Sequence, residues 1–189
     1  MTDYGNHALR LITEGRVSTI IKGSAVLPNP LGLTFTDGFA FITSSSDLLV
    51  RLDLLTKSLT ILTNGTGPMG SLSAAQLSYP RGLTFLSPSI LLIADYGKHQ
   101  LLLANIRNNT ITEICDGTPG YRNGDIRSCQ LNDPWSVLMV NQSVYVGQVN
   151  AIRRLPLAAL SEFIPPMETT TATPGANTPP PSYFNAFFE

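Results

Sequence analysis

Residues 32–35 read Gly-Leu-Thr-Phe, and the same four residues return at 82–85, fifty positions later. A proline stands two positions before each glycine, at Pro30 and Pro80, and a third, divergent copy begins at Pro134. Repeats with a period of roughly 40–50 residues indicate an array of similar supersecondary units, and four-stranded propeller blades have such a period. This repeat decides our prediction of the fold.

Each period also carries short segments typical of β-strands. A first apolar segment follows each proline, and β-branched residues alternate along the last segment of each period. The second segments are 39–42, 90–93 and 144–146, the third are 9–12, 49–52, 100–104 and 151–155, and the fourth are 17–21, 58–62 and 110–115. Only residues 157–163 have a spacing that fits a helix. The sequence therefore predicts an all-β fold of β-propeller blades, each with four antiparallel strands.

We expect two regions, a propeller-like region at 1–160 and a tail at 161–189. Within the first region, the repeat predicts a partial blade at 1–22, blades at 23–76 and 77–130, and a partial blade at 131–160. These segments amount to about 13 strands, whereas a closed propeller needs at least four blades of four. We therefore expect an open arc, which either belongs to a longer, six-bladed protein or self-associates through its open blade edges.

The tail differs from the rest of the chain in composition. Residues 165–189 hold six of the 14 prolines, and several threonines lie among them. Such a segment cannot bury enough apolar surface to offset the entropy lost on ordering, so the sequence predicts a flexible tail. It is either a plain linker or an O-glycosylated stalk.

A recurring turn motif points to a known repeat family. Residues 3–10 read Asp-Tyr-Gly-Asn-His-Ala-Leu-Arg, 95–99 read Asp-Tyr-Gly-Lys-His, and Gln-Leu-x-x-Pro occurs at 76–80 and 130–134. These residues resemble the signature and the blade-to-blade connection of NHL repeats. The resemblance covers about residues 2–155 and implies a β-propeller scaffold, as an open arc or as part of a six-bladed propeller. It implies little about the ligand, because one fold hosts many functions.

Polar residues recur at the turn between the second and third strands. Asp3 and Asp95 begin the motif, and His7 and His99 end it. We interpret all four as structural, since a short carboxylate can accept turn N–H groups and a histidine can brace the turn against the next blade. The alternative is that the two histidines are metal ligands.

The longest connection between blades, at 116–133, is the candidate binding surface. Loops on a rigid scaffold commonly carry function. The side chains suited to contact a partner are Tyr121, Arg122, Asn123, Asp125 and Arg127. The alternative is a solvated loop that binds no partner.

Two cysteines and three glycosylation sequences bear on the compartment. A disulfide between Cys115 and Cys129 would close the candidate loop, the alternative being two free thiols in a cytosolic protein. Acceptor sequences begin at Asn64, Asn108 and Asn141, all at predicted turns. These features favour an extracellular domain or the ectodomain of a longer protein. The start of the chain, which has no basic stretch followed by an apolar one, favours the cytoplasm.

The composition of the chain argues against several classes of function. The net charge is -1 and the 12 lysines and arginines are scattered, which argues against nucleic acid as the main partner. No apolar run approaches the ~20 residues of a membrane span. With two histidines and no catalytic or phosphate-binding motif, the sequence predicts no catalytic residue, metal or cofactor. We therefore predict a non-enzymatic NHL-type scaffold that binds a protein or small ligand through its connecting loops. The alternatives are a remnant of a propeller enzyme, of the metal-dependent lyase or hydrolase type, and, third, an RNA-binding NHL domain.

Overall fold

The computed structural model describes residues 1–23, 25–67 and 70–164. Within this part of the chain it places 14 strands in four antiparallel sheets, and within each sheet every strand pairs with the next along the chain. The all-β prediction of propeller-like blades is confirmed. Most of the predicted tail, from residue 165 onward, lies outside the described residues.

The sheets follow one another in the order of the sequence. The first contains β1 (Thr2–Asp3), β2 (Ala8–Thr13) and β3 (Arg16–Lys22). The second contains β4 (Pro30–Thr36), β5 (Phe39–Ser44), β6 (Leu48–Asp53) and β7 (Leu59–Ile61). The third contains β8 (Pro80–Ser87), β9 (Ile90–Asp95), β10 (Gln100–Asn105) and β11 (Thr110–Ile114), and the fourth contains β12 (Ser136–Val140), β13 (Ser143–Gln148) and β14 (Ala151–Pro156).

The structure differs from the sequence prediction at two places. The first sheet has three strands, because the two residues of β1 pair with Leu9 and Ala8 of β2. The segment at 157–163, which had the spacing of a helix, begins with a single 3-10 turn, Leu157–Leu160. The other two 3-10 turns, Tyr4–Asn6 and Tyr96–Lys98, form part of the recurring turn motif.

The repeated glycine lies where the innermost strands of successive sheets approach each other. A Cβ on Gly32 would overlap the carbonyl oxygen of Arg81, and a Cβ on Gly82 would lie 2.7 Å from the Cα of Ser136. Thr43 of β5 bridges the first of these contacts: its Oγ1 accepts the N–H of Gly32 at 2.8 Å and donates to the carbonyl of Arg81. The motif therefore begins with glycine because no side chain fits at this junction.

Apolar side chains fill the spaces between successive sheets. Along β5, Ile42 packs toward the first sheet, whereas Phe41 packs toward the third and contacts Phe85 with ring centroids 5.2 Å apart. Along β9, Leu91 faces the second sheet and Leu92 faces the fourth. Because side chains alternate between the faces of a strand, one strand contributes to two core layers, and all six residues of β9 are buried.

The two end sheets leave apolar surface uncovered in the described part of the chain. Ile12 and Val17 are exposed on the first sheet. On the fourth sheet Leu138 and Tyr145 are exposed, and Ile152 is 77% exposed. The described sheets therefore form an arc whose two end faces carry exposed apolar side chains. No helix among the described residues is long and apolar enough to cross a membrane.

Candidate ligand site beneath the disulfide loop

The connection after β11 is closed at its base by covalent and hydrogen bonds. Cys115 and Cys129 form a disulfide with their Cα atoms 4.6 Å apart. Beside it, the N–H of Cys115 donates to the carbonyl of Ile126 at 2.6 Å, and the N–H of Asp116 donates to that of Cys129 at 3.0 Å. We call residues 115–129 the disulfide loop.

Two arginines form hydrogen bonds inside the disulfide loop. Arg122 donates to the carbonyl of Ser128 from Nε at 2.9 Å and from Nη2 at 2.7 Å, and Nη2 also lies 2.7 Å from Oδ2 of Asp116. Arg153 of β14 reaches across to the side chain of Asn123 and, at 3.3 Å, to the carbonyl of Arg122. The side chains of Arg122 and Asn123 thus shape the loop from within.

Asp116 is the acidic partner in this network. The Thr118 N–H, 2.8 Å from Oδ1, is the main cause that holds the pKa of Asp116 below its usual value. The side chain of Gln130 and the guanidinium of Arg122 act in the same direction. Asp116 is therefore ionised at neutral pH and anchors the first turn of the loop.

The remaining predicted contact residues point in different directions. The Tyr121 hydroxyl donates to the carbonyl of Val149 at 3.1 Å, while the Tyr121 side chain is half exposed. Arg127 pairs with Glu162 at 3.1 Å and leaves 70% of its side chain exposed. Asp125 accepts the N–H of Arg127 at 2.8 Å and turns the loop.

A cavity of about 650 Å³ lies beneath the disulfide loop, between the third and fourth sheets. Its apolar wall is formed by Leu101, Ile114, Ile126, Leu131 and Val146. Its polar wall is formed by Asn123, Asp125, Arg153 and Glu162. Ligand sites of this size combine an apolar wall with a few polar groups that orient the ligand. The cavity can therefore hold a small molecule that has an apolar body and polar substituents.

Sequence reasoning located the loop but not the cavity. Of the five residues predicted to make contact, Asn123 and Asp125 line the cavity, whereas Tyr121, Arg122 and Arg127 do not. It missed Arg153 and Glu162 as residues that line the cavity. The signal available for Arg153 was the alternating pattern of 151–156, which places Arg153 and Leu155 on the inner face of β14 and Arg154 on the exposed face.

The recurring turn residues contact the backbone just before each repeat proline. Nδ1 of His7 accepts the N–H of Asn29 at 3.1 Å, and Nδ1 of His99 accepts the N–H of Asp133 at 3.3 Å. In the second sheet the turn is one residue shorter. There Asp47 takes the place of the histidine and accepts the N–H of Tyr79 at 2.6 Å. In this geometry the histidines brace a blade connection.

The two aspartates of the motif lie in opposite environments. Oδ2 of Asp3 accepts from Nε of Arg10 at 2.9 Å, and Asn6 donates to both carboxylate oxygens. The Asn6 hydrogen bond, followed by that of Arg10, lowers the pKa of Asp3. Asp95 is fully buried: Oδ1 accepts the N–H of Ser78 at 2.9 Å, and Oδ2 has no hydrogen-bond partner in the described structure. Burial raises the pKa of Asp95 to about 7.

The asparagines of the three glycosylation sequences are exposed at turns or connections. Asn64 follows β7, Asn108 lies between β10 and β11, and Asn141 lies between β12 and β13.

As regards metals, the described ranges contain no group of three or more His, Cys, Asp or Glu side chains placed to hold an ion.

Comparisons with known proteins find similarity in structure alone. No protein-family model and no curated protein sequence matches the chain. An auxiliary nutrient binding protein from Bacteroides ovatus is 17% identical, with a TM-score of 0.65 over 82% of this chain and 44% of that one. One from Bacteroides thetaiotaomicron is also 17% identical, with a TM-score of 0.62 over 78% and 42%. The computationally designed Ika4 protein is 11% identical, with a TM-score of 0.51 over 82% of each chain. The chain thus spans less than half the length of the two nutrient binding proteins and shares their fold.

Proposed function

We propose that this chain is a non-enzymatic, NHL-type propeller scaffold that binds a small ligand in the cavity beneath the disulfide loop. The observation that carries the proposal is the cavity itself, which combines apolar residues of the third and fourth sheets with polar residues of the disulfide loop, β14 and Glu162. Two structural neighbours are described as nutrient binding proteins, which supports a binding role. The proposal assigns no catalytic step and needs no cofactor.

The structure of the cavity explains how binding would occur. The disulfide and the internal hydrogen bonds of Arg122 and Arg153 fix the loop before a ligand arrives. A preformed site loses less conformational entropy on binding than a flexible one. Asp125 and Glu162 on the polar wall favour ligands with hydroxyl or amine donors.

A thermal-shift screen of the full chain against small nutrients tests this proposal. The panel would contain monosaccharides, amino acids, nucleosides and vitamins. We expect at least one class to raise the Tm in a concentration-dependent way. Ala159→Trp should abolish that rise because Ala159 lines the cavity, whereas Ala158→Trp, on the adjacent exposed residue outside the cavity lining, should retain it. A rise that survives Ala159→Trp would place the ligand elsewhere.

We also propose that the end face of the fourth sheet is covered by further β-structure, from a second copy or from the rest of a longer propeller. On the fourth sheet, Tyr145 of β13 pairs with Leu138 of β12 on one side and with Arg154 of β14 on the other. On the second sheet, Phe41 of β5 holds the corresponding position, between Thr34 of β4 and Arg51 of β6. The next sheet covers Phe41, whereas Tyr145 is exposed. An equivalent partner for Tyr145 would bury an apolar face that otherwise contacts water.

An extracellular location is the corresponding proposal for the compartment. The disulfide of the structure and the exposure of Asn64, Asn108 and Asn141 support it. When the chain is secreted from a eukaryotic cell, it should lose mass on treatment with an N-glycosidase. An unchanged mass would count against this location.

A further inference from the structure

Three tyrosines and one arginine converge at a place distant in sequence from the disulfide loop. The guanidinium carbon of Arg81 lies 4.4 Å from the ring centroid of Tyr96 and 5.2 Å from that of Tyr79. The two rings are 5.9 Å apart. Tyr4, in the 3-10 turn after β1, is 46% exposed and lies close enough to Tyr79 to raise the pKa of the Tyr79 hydroxyl. We call these four residues the Arg81 cluster.

The backbone of Tyr79 is unusual for its residue type. Its φ is +51°, in the left-handed region that bulky side chains rarely adopt. Asn29 and Asp133 hold the corresponding positions before the other repeat prolines with φ of +45° and +49°, and their side chains tolerate this conformation. The turn itself therefore does not require an aromatic residue. Strained residues of this kind are concentrated at binding and catalytic sites.

Arg81 is also the one cation among the three residues that directly follow the repeat prolines. Leu31 and Trp135 follow the other two repeat prolines, where Arg81 follows Pro80. Within the described ranges, Arg81 takes part in none of the ion pairs, and its buried Nε has no hydrogen-bond partner. The tyrosine rings contact the guanidinium through their π faces, which leaves its N–H donors unused.

We propose that the Arg81 cluster is a second binding site, which takes a carboxylate group. A guanidinium offers parallel N–H donors in one plane, which match the two oxygens of a carboxylate. The rings of Tyr79 and Tyr96 hold this plane in a fixed orientation, and the neighbouring Tyr4 is half exposed. Arg81 is the cation that these rings contact, and its single positive charge suits a monoanion better than a phosphate dianion.

Titration of the full chain with benzoate, followed by the Nε–H signals of arginine in ¹H–¹⁵N NMR spectra, tests the site. We expect the Arg81 signal to shift and saturate with benzoate, and to stay in place with benzamide, which has nearly the same shape but no charge. Arg81→Lys, which keeps the charge but loses the planar donors, should weaken benzoate binding at least tenfold. Ala159→Trp, which fills the other cavity, should leave benzoate binding unchanged.

Three results would overturn the proposal. Equal shifts with benzamide would show that the carboxylate is not recognised, and equal shifts with inorganic phosphate would show a general anion effect. An Arg81 signal that does not move with benzoate would contradict the site even if Arg81→Lys failed to fold. Tyr4→Phe, which removes only the hydroxyl, provides a milder variant for which we expect a twofold to fivefold loss of affinity.

Discussion

The N–H of Gly82 donates a 3.0 Å hydrogen bond to the carbonyl of Trp135, which joins the innermost strands of the third and fourth sheets. A Cβ on Gly82 would lie 2.9 Å from the backbone nitrogen of Val137. The backbones of the two sheets are therefore in direct contact at the position where the repeat has its glycine. This contact makes the stacking of sheets sensitive to a single methyl group.

Gly82→Ala should destabilise the fold by roughly 1–3 kcal/mol, the usual cost of overpacking a well-packed site. Neither backbone can move aside without breaking the hydrogen bond between them. Gly5→Ala is the control, because a Cβ there meets no atom within 4 Å, and it should change stability by less than about 0.5 kcal/mol. Equilibrium urea unfolding measures both variants. Equal stability of Gly82→Ala and the parent chain would disprove the direct contact.

Asp95 should make stability fall as the pH rises toward 7. Its pKa is about 7 in the folded chain and 3.8 in the unfolded one, so the folded state retains a proton that the unfolded state has lost. The stabilisation is fully present below pH 3.8 and is lost as the pH rises through 7, by at most roughly 1.4 kcal/mol per unit. Lys98 opposes this shift, whereas Asp47 and Glu113 add to it.

Asp95→Asn is the matched variant for this prediction. The amide keeps the shape of the carboxyl and its oxygen can still accept the N–H of Ser78, but it does not titrate. Urea midpoints measured from pH 4.5 to pH 8 should therefore fall in the parent chain and stay nearly level in Asp95→Asn. Parallel curves would show that another group causes the pH dependence.

Reduction of the Cys115–Cys129 disulfide should lower the free energy of unfolding by about 3 kcal/mol. The estimate follows from the separation of 14 residues and from the loss of a constraint on the unfolded chain. Urea unfolding with and without reductant measures the difference. Mass spectrometry after alkylation of free thiols reports the redox state in the native compartment, and two alkylated cysteines would refute the bridge there.

The exposed face of the fourth sheet should drive self-association when nothing else covers it. Ile152→Asp places a charge on this face and should shift the full chain toward the monomer in size-exclusion chromatography with light scattering. Leu55→Asp is the control, because Leu55 is 90% exposed at the turn between β6 and β7 and should not affect association. A parent chain that is monomeric at high concentration would contradict self-association.

The sequence predicted the repeat and the order of strands because each depends on local pattern. Gly32, Gly82 and the prolines fixed the period, and alternation identified the strands. The cavity depends on contacts between the third and fourth sheets and the disulfide loop. No local pattern marked Glu162, because its partner Arg127 in the loop is 35 positions away. Asp95 is likewise buried by a segment distant in sequence, the connection around Ser78. Asp3, its equivalent in the first sheet, has nearly the same neighbours in sequence, so the sequence did not distinguish the two environments.

The most direct test of the binding account is a ¹H–¹⁵N NMR titration of the full chain with the nutrient that raises its Tm most. The account predicts that backbone amide shifts are largest around the cavity, at Gly124, Ile126 and Val146, and that Ala159→Trp abolishes them. Shifts confined to residues outside the cavity, or shifts that persist in Ala159→Trp, would contradict it.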